Sequence, residues 1–410
     1  MSTLTPYASP YNWLAPQLQK PDRPKNVAIH DLTLEGDGEE MAGAYLSEAD
    51  RIAIARKLAG AGVGRMSILG NSPLPSDDDI RCAEKIVALD LPVRLSSFVK
   101  TAQEIDIARQ TGLSDIDILV GVNDALVPQG KSGADIIDLA RRLTDHARAH
   151  GMHTCLMCMD ATRTRPEFLE QLIRELTPHC DEFTIGDSLG TISPWGLHHL
   201  VGLVAAWTDR PLQVHLHNHS SMAVVNAMAA VLAGASTIQT TVNGVGEFTG
   251  LVPLEEFAVA AEMHIGVSTG IDLSSLKELS ELVSRSIGLA IPRQKPVVGD
   301  SAFAIPETEE IQQVYWELHQ EGRFEEALVY PPRLVGNRHH LSIGRRCNEF
   351  TVLYNLSLLG RSANGQTVAE IVSAVREHMS RRSGFALMTQ EEFGSFVQER
   401  GFDLTAAETA

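Results

Sequence analysis

Positive charge is scarce in this 410-residue chain. Its 34 lysines and arginines stand against 52 aspartates and glutamates, for a formal net charge of −18. A surface so negative repels phosphate backbones and anionic lipid, so neither nucleic acid nor a membrane surface is expected as a partner. No stretch approaches the roughly 20 uncharged apolar residues that cross a bilayer. The opening "MSTLTPYASPYNWLAPQLQKPDRPKN" has no basic segment followed by an apolar run, so it does not read as a secretory signal. Residues 1–24 read instead as an extended arm that packs on a neighbour. Cysteine is also sparse. Cys82, Cys155, Cys158, Cys180 and Cys347 are an odd, scattered set, which fits a reducing cytoplasm and not a disulfide framework. Cys155 and Cys158 spell C-x-x-C in a segment that reads as a strand. A spacing of three there puts the thiols on opposite faces, as two core cysteines. The glycine-rich dinucleotide fingerprint is missing from the first strand-to-helix turn, which argues against a doubly wound open sheet.

What is present is an alternation. "VAIHDLTL", "GRMSILG", "PVRLSSFV", "DIDILVG", "HTCLMCM", "EFTIGD", "LQVHLH" and "STIQTTV" are eight short apolar runs, each followed by a longer amphipathic segment. Ser76 before Asp79 and Thr101 before Glu104 have capping-box spacing, Gly112 and Gly151 suit helix ends, and Ser193-Pro194 suits a helix start. Phe168, Leu169, Leu172, Ile173 and Leu176 fall on one helical face. Eight such units fit a closed (β/α)₈ barrel, which takes roughly 250 residues. The barrel is expected over 25–290. A smaller, mainly helical domain is expected over 291–410, too thin in apolar residues to be a core of its own.

A barrel keeps its chemistry at the C-terminal ends of its strands. "HLHNHSSMAVVN" ends the seventh run, and period-two alternation aims His215 and His217 to the same side, as a metal pair requires. His219 continues the alternation beyond the strand. The loop after the first run, "TLEGDGEEMAG", carries Glu35, Asp37, Glu39 and Glu40, from which an oxygen ligand can come.

"TLEGDGEEMAG", "DATR", "DSLG", "HLHNHSSMAVVNAMAAVLAGAS" and "VNGVGEFTGLVPLEE" resemble the landmarks of the 2-isopropylmalate, homocitrate and citramalate synthases. That family belongs to the DRE-TIM metallolyases, which include hydroxymethylglutaryl-CoA lyase. "KPVVGDSAFA" and "LVGNRHHLSIGRRCNEFTVLYNLSLLG" extend the resemblance into the second domain. It implies a divalent metal (Zn²⁺, Mn²⁺ or Mg²⁺) on Asp37, His215 and His217, acetyl-CoA or a related acyl-CoA as co-substrate, a 2-oxo or hydroxy acid as substrate, and a homodimer.

The departures from the pattern carry as much information. The motif T-L-R-D-G-x-Q has gained a residue and lost its arginine, with Glu35-Gly36 in its place. The family's two rim glutamates become Ser67 and Met159. The threonine of D-T-x-G becomes Ser188, the aspartate of H-N-D becomes His219, and the eighth-strand arginine and asparagine become Phe248 and Leu251. The catalytic histidine segment has become "IPETEEIQ". The expectation is therefore a Claisen-type condensation of an acyl-CoA with an unusual 2-oxo acid. Glu39, Glu40 and His219 would move protons, and Ser188, Arg163 and Arg65 would bind substrate. The alternatives are a metal-dependent lyase or aldolase that needs no CoA, and a non-catalytic scaffold or regulator.

Overall fold

The computed structural model describes residues 3–21, 23–34, 41–70, 74–127 and 130–407. Contacts divide the chain into Met1–Ile291 and Pro292–Ala410. The first unit is a closed barrel of eight strands in sequence order. They are β1 Ala28–Asp31, β2 Arg65–Leu69, β3 Arg94–Val99, β4 Asp115–Gly121, β5 His153–Met159, β6 Glu182–Asp187, β7 Leu212–Leu216 and β8 Thr237–Thr240. Every neighbouring pair is parallel, and β1 closes on β8 through Ala28–Thr237 to Asp31–Thr240. Each of the eight apolar runs has become one strand.

The helices start and stop where side chains can satisfy their ends. In α1 (Glu48–Gly60), Ser47 caps the start. In α2 (Asp77–Val87) and α3 (Ala102–Gln110), Ser76–Asp79 and Thr101–Glu104 form reciprocal capping boxes. A third box, Ser132–Asp135, opens α4 (Gly133–Ala149). The apolar stripe of α5 (Pro166–Leu176) is buried at all five positions, each such side chain contributing about 1.5–3 kcal/mol. The remaining barrel helices are α6 Pro194–Trp207, α7 Ala223–Ala233, α8 Leu254–Ala260 and α9 Leu276–Ile287.

Over its described residues 3–21 the expected arm is not extended. It forms short 3₁₀ turns at Thr5–Tyr7, Pro10–Leu14 and Pro16–Leu18. It lies on its own barrel: Arg23 donates to the Ile265 carbonyl at 2.7 Å, and a Cβ on Gly266 would meet the Trp13 ring at 3.2 Å.

Barrel interiors are usually filled by branched apolar side chains. Here the lower interior is polar. Arg65, the first residue of β2, is buried with its guanidinium 2.7 Å from Asp117 and 3.3 Å from Glu182. Burial pushes Asp117 up to about 6 against the pull of Arg65. His30 sits above this pair, within 3.1 Å of Gln213, Ser67 and Ser96. Burial, reinforced by Arg65, holds its imidazole neutral. Cys155 faces the same interior, 3.1 Å from Thr184 Oγ1. Cys158, three residues on, is likewise buried.

The second unit contains α10 Glu309–Gln320, α11 Glu349–Leu358, α12 Gly365–Ser380 and α13 Gln390–Glu399. Contrary to the expectation from composition, it has a core of its own. Val352, Leu356, Ile371, Val375, Met379 and Phe393 are buried together, and Phe324 and Tyr354 anchor a second cluster. Its apolar residues are few, but they fall at helical spacing.

Candidate active site

His215 is the fourth residue of β7, and His217 lies just past the strand's end. Their Nε2 atoms are 3.2 Å apart. Two nitrogens each about 2.0–2.1 Å from one ion keep a separation of this size. The other nitrogen of His215, Nδ1, is 2.8 Å from Gln239 Oε1 on β8. A carboxamide oxygen can only accept, so Nδ1 carries the proton and the Nε2 lone pair faces His217. Burial pushes His215 down to about 4, which keeps the ring neutral and able to ligate near neutral pH. The donor set therefore fits a divalent metal. Asp37, Glu39 and Glu40, expected to complete and serve this site, lie outside the described residues.

The two histidines open onto a cavity of about 260 Å³ that Asp160, Arg163, Ser188, Glu247 and Lys100 also line. Asp160 follows β5 in the left-handed region, at φ 59°. Its backbone N–H donates to Ser188 Oγ at 3.0 Å, and its carboxylate accepts Arg163 Nε at 2.9 and 3.0 Å. This pairing raises the Arg163 pKa. Gly190 lets the β6 loop approach β7: at its φ of +58° a Cβ would meet the His217 carbonyl oxygen at 2.7 Å.

The cavity's other wall, formed by Phe98, Leu119, Leu126, Met157 and Met159, is apolar and continues into the core behind it. Leu32, Phe98, Leu119, Met157 and Leu251 form one buried cluster with Met159 against it. Phe248 stands at the rim at φ 55°, a conformation that costs a bulky residue of order 1–3 kcal/mol. Its ring lies 5.8 Å from that of His217 and 5.2 Å from that of His219. His219 is exposed and packs on Phe248; it is not among the residues lining the cavity.

The structure thus brings together His215, His217, Ser188 and Arg163, and it places His219 beside them on the rim. Arg65 is elsewhere, locked on carboxylates at the start of β2. Sequence reasoning missed Lys100 and Glu247; the signal for Lys100 was its position after β3, and that for Glu247 was its place in "VNGVGEFTGLVPLEE", where only Phe248 and Leu251 stand out as departures. It also missed Asp31, the last residue of β1, which accepts from Thr33 N at 2.9 Å and is pushed up to about 7 by burial.

Residues 26–283 match the HMGL-like family model. The chain is 29% identical to a probable 2-isopropylmalate synthase of Methanosarcina mazei, over 87% of this chain and 69% of that protein. It is 30% identical to an (R)-citramalate synthase of Methanocaldococcus jannaschii, over 86% of this chain and 70% of the relative. A homocitrate synthase of Methanothermobacter thermautotrophicus is 27% identical over 92% of this chain and 94% of its own. Among solved structures, the HMG-CoA lyase of Bacillus subtilis shares the fold with a TM-score of 0.60 at 18% identity, covering 66% of this chain and 96% of that one. An HMG-CoA lyase of Acinetobacter baumannii, in complex with coenzyme A and 3-methylmalate, gives 0.58 at 15% identity, covering 66% and 94%. No described helix is long and apolar enough to cross a membrane. On the barrel, the paired histidines and these relatives together, the chain belongs to the HMGL-like family and is an enzyme of its synthase and lyase kind.

Proposed function

We propose that the enzyme joins an acyl-CoA to a 2-oxo acid whose side chain is apolar, at a divalent metal held by His215, His217 and Asp37. The observation that carries this reading is the pair of Nε2 atoms 3.2 Å apart at the edge of a cavity walled by Phe98, Leu119, Met157 and Met159. A bound ion supplies Lewis-acid polarisation of the carbonyl. The chain supplies the rest. Arg163 spends Nε and Nη2 on Asp160 and presents its remaining edge to a substrate carboxylate. The Ser188 oxygen accepts from Asp160 N–H, so its own proton can be donated into the cavity. Glu247 has no ion-pair partner among the described residues and lines the same space. It joins His219, Glu39 and Glu40 as a candidate base for the acyl methyl proton. Cleavage of the product would use the same groups in reverse.

The exposed large apolar residues Tyr45, Leu74, Leu126, Trp195, Met222 and Phe248 all stand between a strand's C-terminal end and the first turn of the next helix. Apolar side chains on six of the eight loops at the barrel mouth are what a covering second copy would bury, and with the family resemblance this favours a homodimer. The five unbridged, buried cysteines support a reducing, cytoplasmic setting.

The test is release of free CoA thiol from acetyl-CoA against a panel of 2-oxo acids, using metal-loaded protein. Release with acceptors bearing apolar side chains longer than that of 2-oxoisovalerate, lost in His215→Ala, is expected. Cleavage of a hydroxy acid with no dependence on CoA would replace condensation by the lyase reading.

A further inference from the structure

Asp106 on α3 and His146 and His150 on α4 meet on the outside of the barrel. They lie at the end of α4 that leads into β5, and so opposite the catalytic mouth. Each offers one ligand atom, and the three atoms lie within 4.8 Å of one another. Asp106 Oδ1 is 3.1 Å from His146 Nε2, and the two imidazoles meet edge to face with centroids 5.0 Å apart. Helical geometry explains the pairing. Residues four apart share a face with Cβ atoms about 5–6 Å from each other, and His150 is the C-cap, where the helix dipole is negative and attracts a cation.

We propose that Asp106, His146 and His150 form a second metal site that takes a divalent transition ion of the Zn²⁺, Co²⁺ or Ni²⁺ type and pins α3 to α4. Two imidazoles select such ions over Mg²⁺ and Ca²⁺, which prefer all-oxygen shells. All three residues are at least partly exposed, so water can complete the shell and the side chains can close by the small rotation an ion requires. The site is remote from the mouth, so its effect is on stability. An ion that binds only the folded chain raises the melting temperature by linkage.

The experiment uses the full chain, stripped with chelator and titrated with Zn²⁺ by calorimetry and thermal denaturation. The chain carrying His215→Gln and His217→Gln should still bind one equivalent and melt higher with zinc. Adding His146→Gln and His150→Gln should remove both effects, with circular dichroism unchanged. If the mouth does not bind metal, the wild type will bind a single equivalent that disappears with His146→Gln and His150→Gln, which supports the second site independently. If the chain with His146→Gln and His150→Gln alone binds as much zinc as wild type and melts identically with it, the proposal is wrong.

Discussion

Gln239 Oε1 and His215 Nδ1 are 2.8 Å apart across β7 and β8, and this contact determines which imidazole nitrogen meets His217. Gln239 is wholly buried and does not line the cavity; its Nε2 lies 3.4 Å from His30 Nδ1, and it reaches the site through its Oε1 contact with His215. Gln239→Leu would free the ring to flip and leave a buried N–H without its acceptor. Metal affinity should fall about 10- to 100-fold, the usual effect of removing an outer-shell partner, while His215→Ala should abolish retention. Competitive titration against a chromophoric chelator reads both. Equal affinity in Gln239→Leu and wild type would remove the basis for the tautomer argument.

Arg65 should prove structural. Its guanidinium is buried between Asp117 and Glu182. Arg65→Met would strand those carboxylates and cost about 3–5 kcal/mol, the usual effect of breaking a buried pair. Replacing Asp117 by Leu as well should recover part of that loss. Denaturant unfolding measures the difference. A stable Arg65→Met chain with a raised KM would instead return Arg65 to the substrate.

Asp31 should leave a mark on the pH dependence of stability. Burial raises its pKa from 3.8 to about 7, so ionisation is harder in the folded chain than in the unfolded one. The stability this group contributes is fully present below pH 3.8 and is lost as pH rises to about 7. Asp31→Asn keeps an oxygen for Thr33 N–H and cannot ionise. Its stability relative to wild type should therefore increase between those pH values and level off above. A constant difference across that range, in urea melts, would contradict the assignment.

How much of this was legible beforehand depended on whether a residue's partner lay close by in sequence. The capping pairs Ser76–Asp79 and Thr101–Glu104 and the α5 stripe are short-range and follow from spacing alone. His215 and His217 were visible because two-residue alternation puts both on one side. The polar barrel floor was not visible. Parallel strands are buried on both faces, so nothing in "GRMSILG" or "DIDILVG" says that Arg65 and Asp117 turn inward to each other. The apolar wall was hidden for the same reason: Phe98, Leu119 and Met157 come from three different strands and meet only when the barrel closes. The loop that holds Asp37 lies outside the described residues.

The acceptor specificity gives the last prediction. A dicarboxylate such as 2-oxoglutarate would lay its second charge along Phe98, Leu119 and Met157, with Lys100 as the one cation besides Arg163 among the described residues that line the cavity. A buried carboxylate whose pairing is incomplete costs several kcal/mol. Pyruvate has nothing to place on that wall. 2-Oxoisovalerate covers it only in part, because the cavity adjoins a larger one of about 620 Å³ that shares Lys100, Leu119, Leu126 and Met159 with it. With acetyl-CoA, all three acids should give at most trace turnover, 2-oxoglutarate the least, and acids with longer apolar side chains should do better. Met159 lines both cavities, so Met159→Ala should shift preference further toward bulky acceptors. One methylene in an apolar pocket is worth about 1–3 kcal/mol, so the ratio of kcat/KM for bulky over small acids should rise at least about 10-fold. Efficient turnover of 2-oxoglutarate by the wild type, or no change of preference in Met159→Ala, would mean that the apolar wall does not face the acceptor.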